Sequence, residues 1–339
     1  MLYATIFLMD SNNEMIVAEN KFYGPPEVVK LVKRSRPEPS ARQILVRVFA
    51  STVSSADSRI RSRNVPRGFG FMISLLYGFS HPKYDCLGTN LAGEVVAIGK
   101  DVNKFKVGDR VVADLGMKLG GHAQFKLLNE NDVIAKIPSD VSYIQAASLV
   151  FGGSTALCFL RDKLKLQSGE RLLVIGAGGA VGSAAVQIGR LMGAHVVGVC
   201  SSEKVADVRA LGANEVIDYK LTDWKSTPER YDVILDNVGV TNFEFGKVRH
   251  KLSPHGRMGL VVADLPANIA SIWISIFNRQ KVIAGSIAVG IKDLEYLLNL
   301  CNEKLLDPLI SKKFSIEKIV EAHKIVDSGH KLGSVVIEF

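Results

Sequence analysis

Between residues 171 and 219 the sequence reads RLLVIGAGGAVGSAAVQIGRLMGAHVVGVCSSEKVADVRALGANEVIDY, and its glycines fall where phosphate binding needs them. Gly176 permits a tight turn. Small residues at Gly178 and Gly179 let main chain approach a pyrophosphate, and Gly182 lets a helix pack closely on a strand. Ala180 and Val181 open that helix, whose N-terminus offers free N–H groups and a partial positive charge to phosphate oxygens. After the next strand come Ser201, Ser202 and Lys204, where a site built for an unphosphorylated ribose has a carboxylate. Two hydroxyls and an ammonium predict NADP(H) in preference to NAD(H).

These residues need a frame. Arg171–Ile175 reads as a strand buried on both faces, and Ala180–Met192 as a helix with Val181, Ala184, Ala185, Ile188 and Leu191 on one side. Gly193 closes the helix and His195–Cys200 is the second strand of a βαβ unit. Further strands are expected at Tyr231–Leu235, Gly256–Val262 and Val282–Ile287, with helices at Asn242–Leu252 and Lys292–Glu303. That alternation predicts an α/β, doubly wound parallel sheet. Asn237, Val238, Val262, Ser286, Ile287 and Ala288 fall at or beyond the carboxyl ends of its strands, where such folds bind ligands, and are expected to touch the cofactor.

The earlier part of the chain has a different rhythm. Residues 1–14 read as an N-terminal extension. Met15–Ala18, Val28–Lys33, Gln43–Ser51, Gly88–Gly99, Phe105–Ala113 and a strand beginning at Gly120–Phe125 predict a barrel-like, β-rich domain. Ser54, Ser55, Asp57 and Arg59 crowd one short segment. Residues 64–85 form a long aromatic and basic insertion that either shapes a pocket or tucks its apolar side chains onto the surface. Ser142–Leu149 and Thr155–Lys163 read as two helices, with Gly152–Thr155 opening the second. Ile316–Asp327 (helix) and Gly333–Phe339 (strand) should return to the first domain. The expected division is 15–136, completed by 305–339, and 137–304.

Composition limits the alternatives. The 339 residues are 47% hydrophobic and 22% charged, ordinary for a two-domain globular chain. The net charge of +8 is dispersed, with no basic block to mark a specific nucleic-acid site. Cys86, Cys158, Cys200 and Cys301 are too scattered for a ligand set or disulfide framework, which suits a reducing cytoplasm. Met1–Met9, Phe71–Phe79 and Ile269–Phe277 are apolar but too short to span a bilayer, so neither a signal peptide nor a membrane span is expected. A membrane-facing role for Phe71–Phe79 stays open.

Several motifs in one order extend the reading: Tyr23-Gly24-Pro25-Pro26-Glu27-Val28, Leu87-Gly88-Thr89-Asn90-Leu91-Ala92-Gly93-Glu94-Val95, Val107-Gly108-Asp109-Arg110-Val111, Gly152-Gly153-Ser154-Thr155, the glycine turn, Leu211-Gly212-Ala213 and Asp236-Asn237-Val238-Gly239. With these the chain resembles the medium-chain dehydrogenase/reductase superfamily, in its zinc-free quinone-oxidoreductase branch. The resemblance implies a GroES-like catalytic domain joined to a Rossmann domain, with the cofactor between them. Positions matching the Cys, His and Cys zinc ligands of related alcohol dehydrogenases are Ser54, Thr89 and Phe151, a set that cannot hold zinc.

The implied activity is zinc-independent, NADPH-dependent hydride transfer to a quinone or an activated alkene or carbonyl compound. Residues matching Ser201, Ser202, Lys204 and Tyr219 line the adenosine phosphate pocket in the family. Ser54, Asp57, Arg59, Asn90 and Thr155 are the candidates at the catalytic cleft. A tyrosine is common at the position of Arg59, whose guanidinium could steady an oxyanion or a cofactor phosphate; Asp57 could equally be a structural partner of Arg59 or Arg61. His122 reads as a strand residue rather than an acid. The resemblance also implies a homodimer joined through the strand at Val282–Ile287. The alternative is a cofactor-binding adaptor or regulatory protein with little turnover.

Overall fold

The computed structural model describes residues 13–239 and 245–339. Nearly all of the expected N-terminal extension and the start of the helix expected at Asn242 lie outside the described residues. The chain begins with a two-stranded antiparallel ribbon, β1 (Glu14–Glu19) and β2 (Lys30–Ser35). Then come β3 (Gln43–Val53), helices α1 (Ser55–Ser62) and α2 (Gly70–Tyr77), and strands β4 (Asn90–Ile98), β5 (Arg110–Asp114), β6 (Phe125–Asn129) and β7 (Val133–Lys136). Helix α3 (Tyr143–Leu157) leads to β8 (Arg171–Ile175), α4 (Ala180–Leu191), β9 (His195–Cys200), α5 (Val205–Ala210), β10 (Glu215–Asp218) and β11 (Tyr231–Asp236). The last elements are α6 (Phe245–Val248), β12 (Leu252–Leu260), α7 (Leu265–Phe277), β13 (Lys281–Ile283), α8 (Ile291–Asn302), β14 (Ile310–Ser315), α9 (Ile319–Asp327) and β15 (Ser334–Glu338).

One sheet is wholly parallel, in the order β10-β9-β8-β11-β12-β13. Its central strands are apolar without a break because each face is covered. Leu172, Val174, Val233 and Leu235 enter one core cluster, while Leu173, Ile175 and Ile234 enter the cluster on the other face. The other sheet has the order β14-β15-β3-β4-β5-β7, with β6 also on β3. The strand β15 joins this second sheet, antiparallel to β3.

Three expectations need correction. Gly152 and Gly153 do not separate two helices: α3 runs straight through them and continues as a π-helical stretch, Cys158–Lys163. The reason is packing, since a Cβ at Gly152 would sit 2.4 Å from the Ala180 carbonyl oxygen of the adjoining α4. The strand expected at Val282–Ile287 ends at Ile283, leaving residues 284–290 as a loop. Residues 64–85 are not one loop but carry α2. Together α3 and its π stretch form a 21-residue apolar helix, the single candidate span among the described residues. It is a core helix, with 78% of its most apolar window buried inside the protein.

Candidate active site

The chain moves outward from β8 to β10, then returns to lay β11 on the other side of β8. The crevice opens at that reversal, above the carboxyl ends of β8 and β11. Gly176 turns the chain there with φ +77°, a left-handed conformation that glycine adopts without strain. Asn237 closes the other side, its Nδ2 donating to the Ile175 carbonyl at 3.0 Å. Gly182 cannot carry a side chain: a Cβ would lie 2.1 Å from the Gly176 carbonyl oxygen. Gly179 precedes α4 and supplies no side-chain cap, so the first-turn N–H groups stay available to an anion. The Gly178 carbonyl accepts from Gly333 N at 2.7 Å, which ties the turn to the segment entering β15.

A cavity of about 850 Å³ opens on this turn. Of the residues expected to bind a cofactor, Gly176, Gly178, Gly179, Ala180, Val181, Ser201, Lys204, Tyr219, Asn237 and Val238 line it. Ser202 does not; it lies exposed in a short turn, Ser202–Lys204. Ser201 Oγ donates to Glu203 Oε1 at 2.7 Å, and Lys220 Nζ lies 3.0 Å from Glu203 Oε2. The Ser201 hydroxyl, a main-chain N–H and Lys220 hold the Glu203 carboxyl down at about 2. Glu203 was legible in the sequence between Ser202 and Lys204, yet the cofactor expectation left it aside.

Two lysines line the cavity beside the glycine turn. The Lys204 chain lies over Gly178, and its Nζ donates to the Lys331 carbonyl at 3.2 Å. Lys331 Nζ donates to the Gly333 carbonyl at 2.6 Å. Burial, and then the charge of Lys204, push the Lys331 ammonium down to about 8. Burial likewise lowers Lys204. No local motif marks Lys331; only the return of the chain into β15 brings it here.

Arg59 projects from α1 into the same cavity, half-buried. Burial lowers its pKa, and it has no hydrogen-bond or ion-pair partner among the described residues. Ser54 and Asp57 hold the helix that carries it. Ser54 Oγ accepts from Asp57 N, while Asp57 Oδ2 accepts from Ser54 N at 2.8 Å and from Ser54 Oγ at 2.6 Å. Asp57 Oδ1 accepts from Gly88 N at 2.8 Å. This reciprocal capping box consumes both side chains. Asn90 is fully buried in β4, its Nδ2 donating to Thr52 Oγ1 at 2.7 Å. Ser54, Asp57 and Asn90 therefore line neither this cavity nor its neighbour, contrary to the expected catalytic placement.

The neighbouring cavity, about 690 Å³, shares Phe151 with the first. Thr155 lines it from mid-helix, donating Oγ1 to the Phe151 carbonyl at 2.7 Å. Ser286 and Ile287 line this cavity rather than the first, held in part by Lys163 Nζ, which donates to the carbonyls of Gly285 (2.9 Å) and Ser286 (2.7 Å). Val262 and Ala288 miss it; Val261 takes the first place, and the Ala288 carbonyl faces Cys158 Sγ at 3.9 Å. Tyr77 from α2 supplies part of the wall, so the 64–85 insertion does reach a pocket.

Asp114, at the end of β5, was not expected here. Burial raises its pKa, and Oδ1 accepts from Gly116 N at 2.9 Å. Beside it lies Thr89, whose carbonyl accepts from Leu115 N at 2.8 Å and whose buried Oγ1 has no hydrogen-bond partner among the described residues. His122 is fully buried away from both cavities, with Nε2 3.2 Å from the Thr52 carbonyl oxygen. The zinc-position residues do not fit the metal: Ser54 is spent in the cap, Phe151 has no donor, and no group of three or more His, Cys, Asp or Glu is gathered among the described residues.

The two sheets, the glycine turn at the strand reversal and the paired cavities define a dinucleotide-dependent oxidoreductase. Residues 40–139 match the family described as "Alcohol dehydrogenase GroES-like domain", and residues 211–337 match "Zinc-binding dehydrogenase". A chloroplastic quinone-oxidoreductase homolog from Spinacia oleracea is 31% identical over 327 residues, covering 93% of this chain and 95% of that protein. A mitochondrial NAD(P)H oxidoreductase, RTN4IP1 from Bos taurus, is 29% identical over 332 residues, covering 87% and 81%. The solved quinone oxidoreductase from Coxiella burnetii superposes with a TM-score of 0.84 at 27% identity, covering 96% of this chain and 99% of that one. The chain belongs to the medium-chain dehydrogenase/reductase superfamily, in its quinone-oxidoreductase-like branch, and is an oxidoreductase that works with a nicotinamide cofactor.

Proposed function

We propose that the protein is a zinc-independent, NADPH-preferring reductase of quinones or activated alkenes and carbonyl compounds. The observation that carries this reading is the junction at Phe151, where a cavity lined by Arg59, Lys204 and Lys331 meets a second cavity with no metal-binding set among the described residues. Bound NADPH supplies a hydride. The N–H groups of the first turn of α4 would hold its pyrophosphate, and Lys204 and Lys331 would offer charge to its 2′-phosphate. Arg59, partnerless in the dinucleotide cavity, suits a cofactor phosphate better than an acceptor oxyanion. Glu203 tempers the preference by occupying the Ser201 hydroxyl proton, but its own charge is paired with Lys220.

On the acceptor side the wall formed by Ile60, Tyr77, Phe151 and Phe159 selects a flat apolar molecule. Asp114, which lines this cavity and whose pKa burial raises, is placed to return the proton that reduction consumes. The unpaired outer edge of β13, among the described residues, fits a homodimer. An adaptor with little turnover is the second reading, favoured because Ser54, Asp57 and Asn90 are spent on internal hydrogen bonds. A panel of quinones, enones and enals, followed by loss of NADPH absorbance, separates the two. Oxidation by at least one class supports the reductase. Tight NADPH binding with no acceptor reduced overturns it.

A further inference from the structure

A third cavity, of about 310 Å³, opens on the β-rich domain beside the ribbon of β1 and β2. Its charged lining consists of four basic residues, Arg34, Lys83, Lys118 and Lys126, and one acid, Asp85. The carboxylates at hand are already engaged. Arg34 takes both Asp85 oxygens, Nη1 donating to Oδ1 at 3.2 Å and Nη2 to Oδ2, and it also reaches Glu19, which Lys21 meets at 3.2 Å. Lys118 Nζ donates to Asp132 Oδ1 at 2.5 Å, and Asp132 Oδ2 accepts from Asn129 N at 2.9 Å. Lys83 and Lys126 are left with no hydrogen-bond or ion-pair partner among the described residues.

Lys126 is the more telling of the two. It stands in β6, and its ammonium sits against Gly120, where a Cβ would lie 2.2 Å from Nζ. Burial lowers its pKa, opposed by Cys86 and Asp132. Cys86 supplies no counter-charge, because burial pushes its thiol up to about 12. Withdrawing an ammonium from water costs stability unless an anion answers it, and an apolar side chain would fill the same space without that cost. Much of the remaining wall is apolar, with Met15 and Val17 from β1 and Phe125 and Leu127 from β6. We propose that this cavity binds a small phosphomonoester, its dianionic head drawn by Lys126 and Lys83 and its apolar body against β1 and β6. Two free ammoniums match a double charge, which a carboxylate lacks. The volume is about ten times a water's share of the liquid, room for a phosphate on one ring or a short chain. The site is independent of the function proposed above.

Lys118 lines both this cavity and the acceptor cavity, so Lys126, which lines this one alone of the three, is the residue to change. Phenyl phosphate is the probe, titrated calorimetrically into the full-length protein with excess NADP⁺ present to occupy the other cationic cavity. The expected result is one binding event, weakened about tenfold in K126M and about threefold in K83M, with benzyl alcohol not bound. In the wild type, saturating phenyl phosphate should also slow acetylation of Lys126 at least about fivefold, read by peptide mass spectrometry, and leave the exposed Lys312 unchanged. That protection is measurable even if K126M misfolds. Binding undiminished in K126M, or Lys126 acetylated at its ordinary rate, overturns the proposal. So does inorganic phosphate or benzoate bound as tightly as phenyl phosphate. The first would show that the apolar wall selects nothing, the second that a single charge suffices.

Discussion

The Lys204 ammonium donates to the main-chain carbonyl of Lys331, 127 positions away, so one end of the cavity on the glycine turn is closed by two lysines from different parts of the fold. Replacing either by alanine should cost NADPH about 1–3 kcal/mol of binding, the value of a charge-assisted hydrogen bond, while NADH loses little. Fluorescence titration of both cofactors with K204A and K331A measures the difference. Equal losses for the two cofactors would remove the basis for NADP(H) preference.

Lys331 also predicts a pH dependence. Burial and then the charge of Lys204 push its ammonium down to about 8, below its ordinary 10.5. A bound 2′-phosphate favours the charged form, so the NADPH dissociation constant should rise by up to about tenfold per pH unit above pH 8. NADH affinity should stay level over the same range. For folding the sign is opposite. With the folded pKa depressed, the unfolded chain binds more protons between about 8 and 10.5, and this group's contribution to stability grows as pH rises through that window. Replacement by methionine should flatten both trends. A wild-type NADPH profile already flat from pH 7 to 9.5 would contradict the assignment.

Much of this site was open to sequence reasoning, and the residues that escaped share a cause. The glycine turn is a local pattern in which each glycine has its own steric duty, so its placement could be read from spacing. Lys331 and Asp114 sit in no motif, and they reach the cavities only through sheet pairings at long sequence separation. Ser54 and Asp57 misled for the opposite reason. Ser-x-x-Asp before a helix is a cap as readily as a catalytic pair, and only Gly88, brought up from 31 residues away, showed where the second carboxylate oxygen goes. Gly152 and Gly153 suggested a helix break, but glycine inside a helix also serves close packing, here against α4.

Two glycines of the turn should therefore behave differently. Gly179 has ordinary extended backbone angles, φ −81° and ψ 173°, and a Cβ there would meet no protein atom nearer than 3.5 Å. G179V should fold normally and lose both cofactors, because the new side chain fills space meant for the pyrophosphate. Gly182 has no such room, and G182V should lower the melting temperature sharply before binding can be assayed. Calorimetry alongside cofactor titration distinguishes the pair. Unchanged binding by folded G179V would show that the pyrophosphate lies elsewhere.

Arg59 and the acceptor should prove separable. R59M removes a half-buried guanidinium from the dinucleotide cavity, so both cofactors should weaken by about 1.5–3 kcal/mol, with the acceptor KM unaltered. A fall in kcat with unchanged cofactor affinity would instead place the charge on an acceptor oxyanion.

Asp114 bears on the proton. Reduction of a quinone or enone by hydride leaves an anion that must take up a proton, and Asp114 is a carboxyl in the acceptor cavity that burial keeps protonated to higher pH than usual. As pH rises through that raised value, the acid form is lost and kcat should fall. D114N cannot donate, and should lower kcat about 10- to 100-fold at the acidic end of the profile while removing the descending limb. Cofactor affinity should not change, since Asp114 lines the other cavity. A structural carboxylate would give a different pattern: reduced stability, with the pH limb intact in whatever enzyme remains folded. If D114N keeps the wild-type profile, the proton does not come from Asp114 and solvent supplies it.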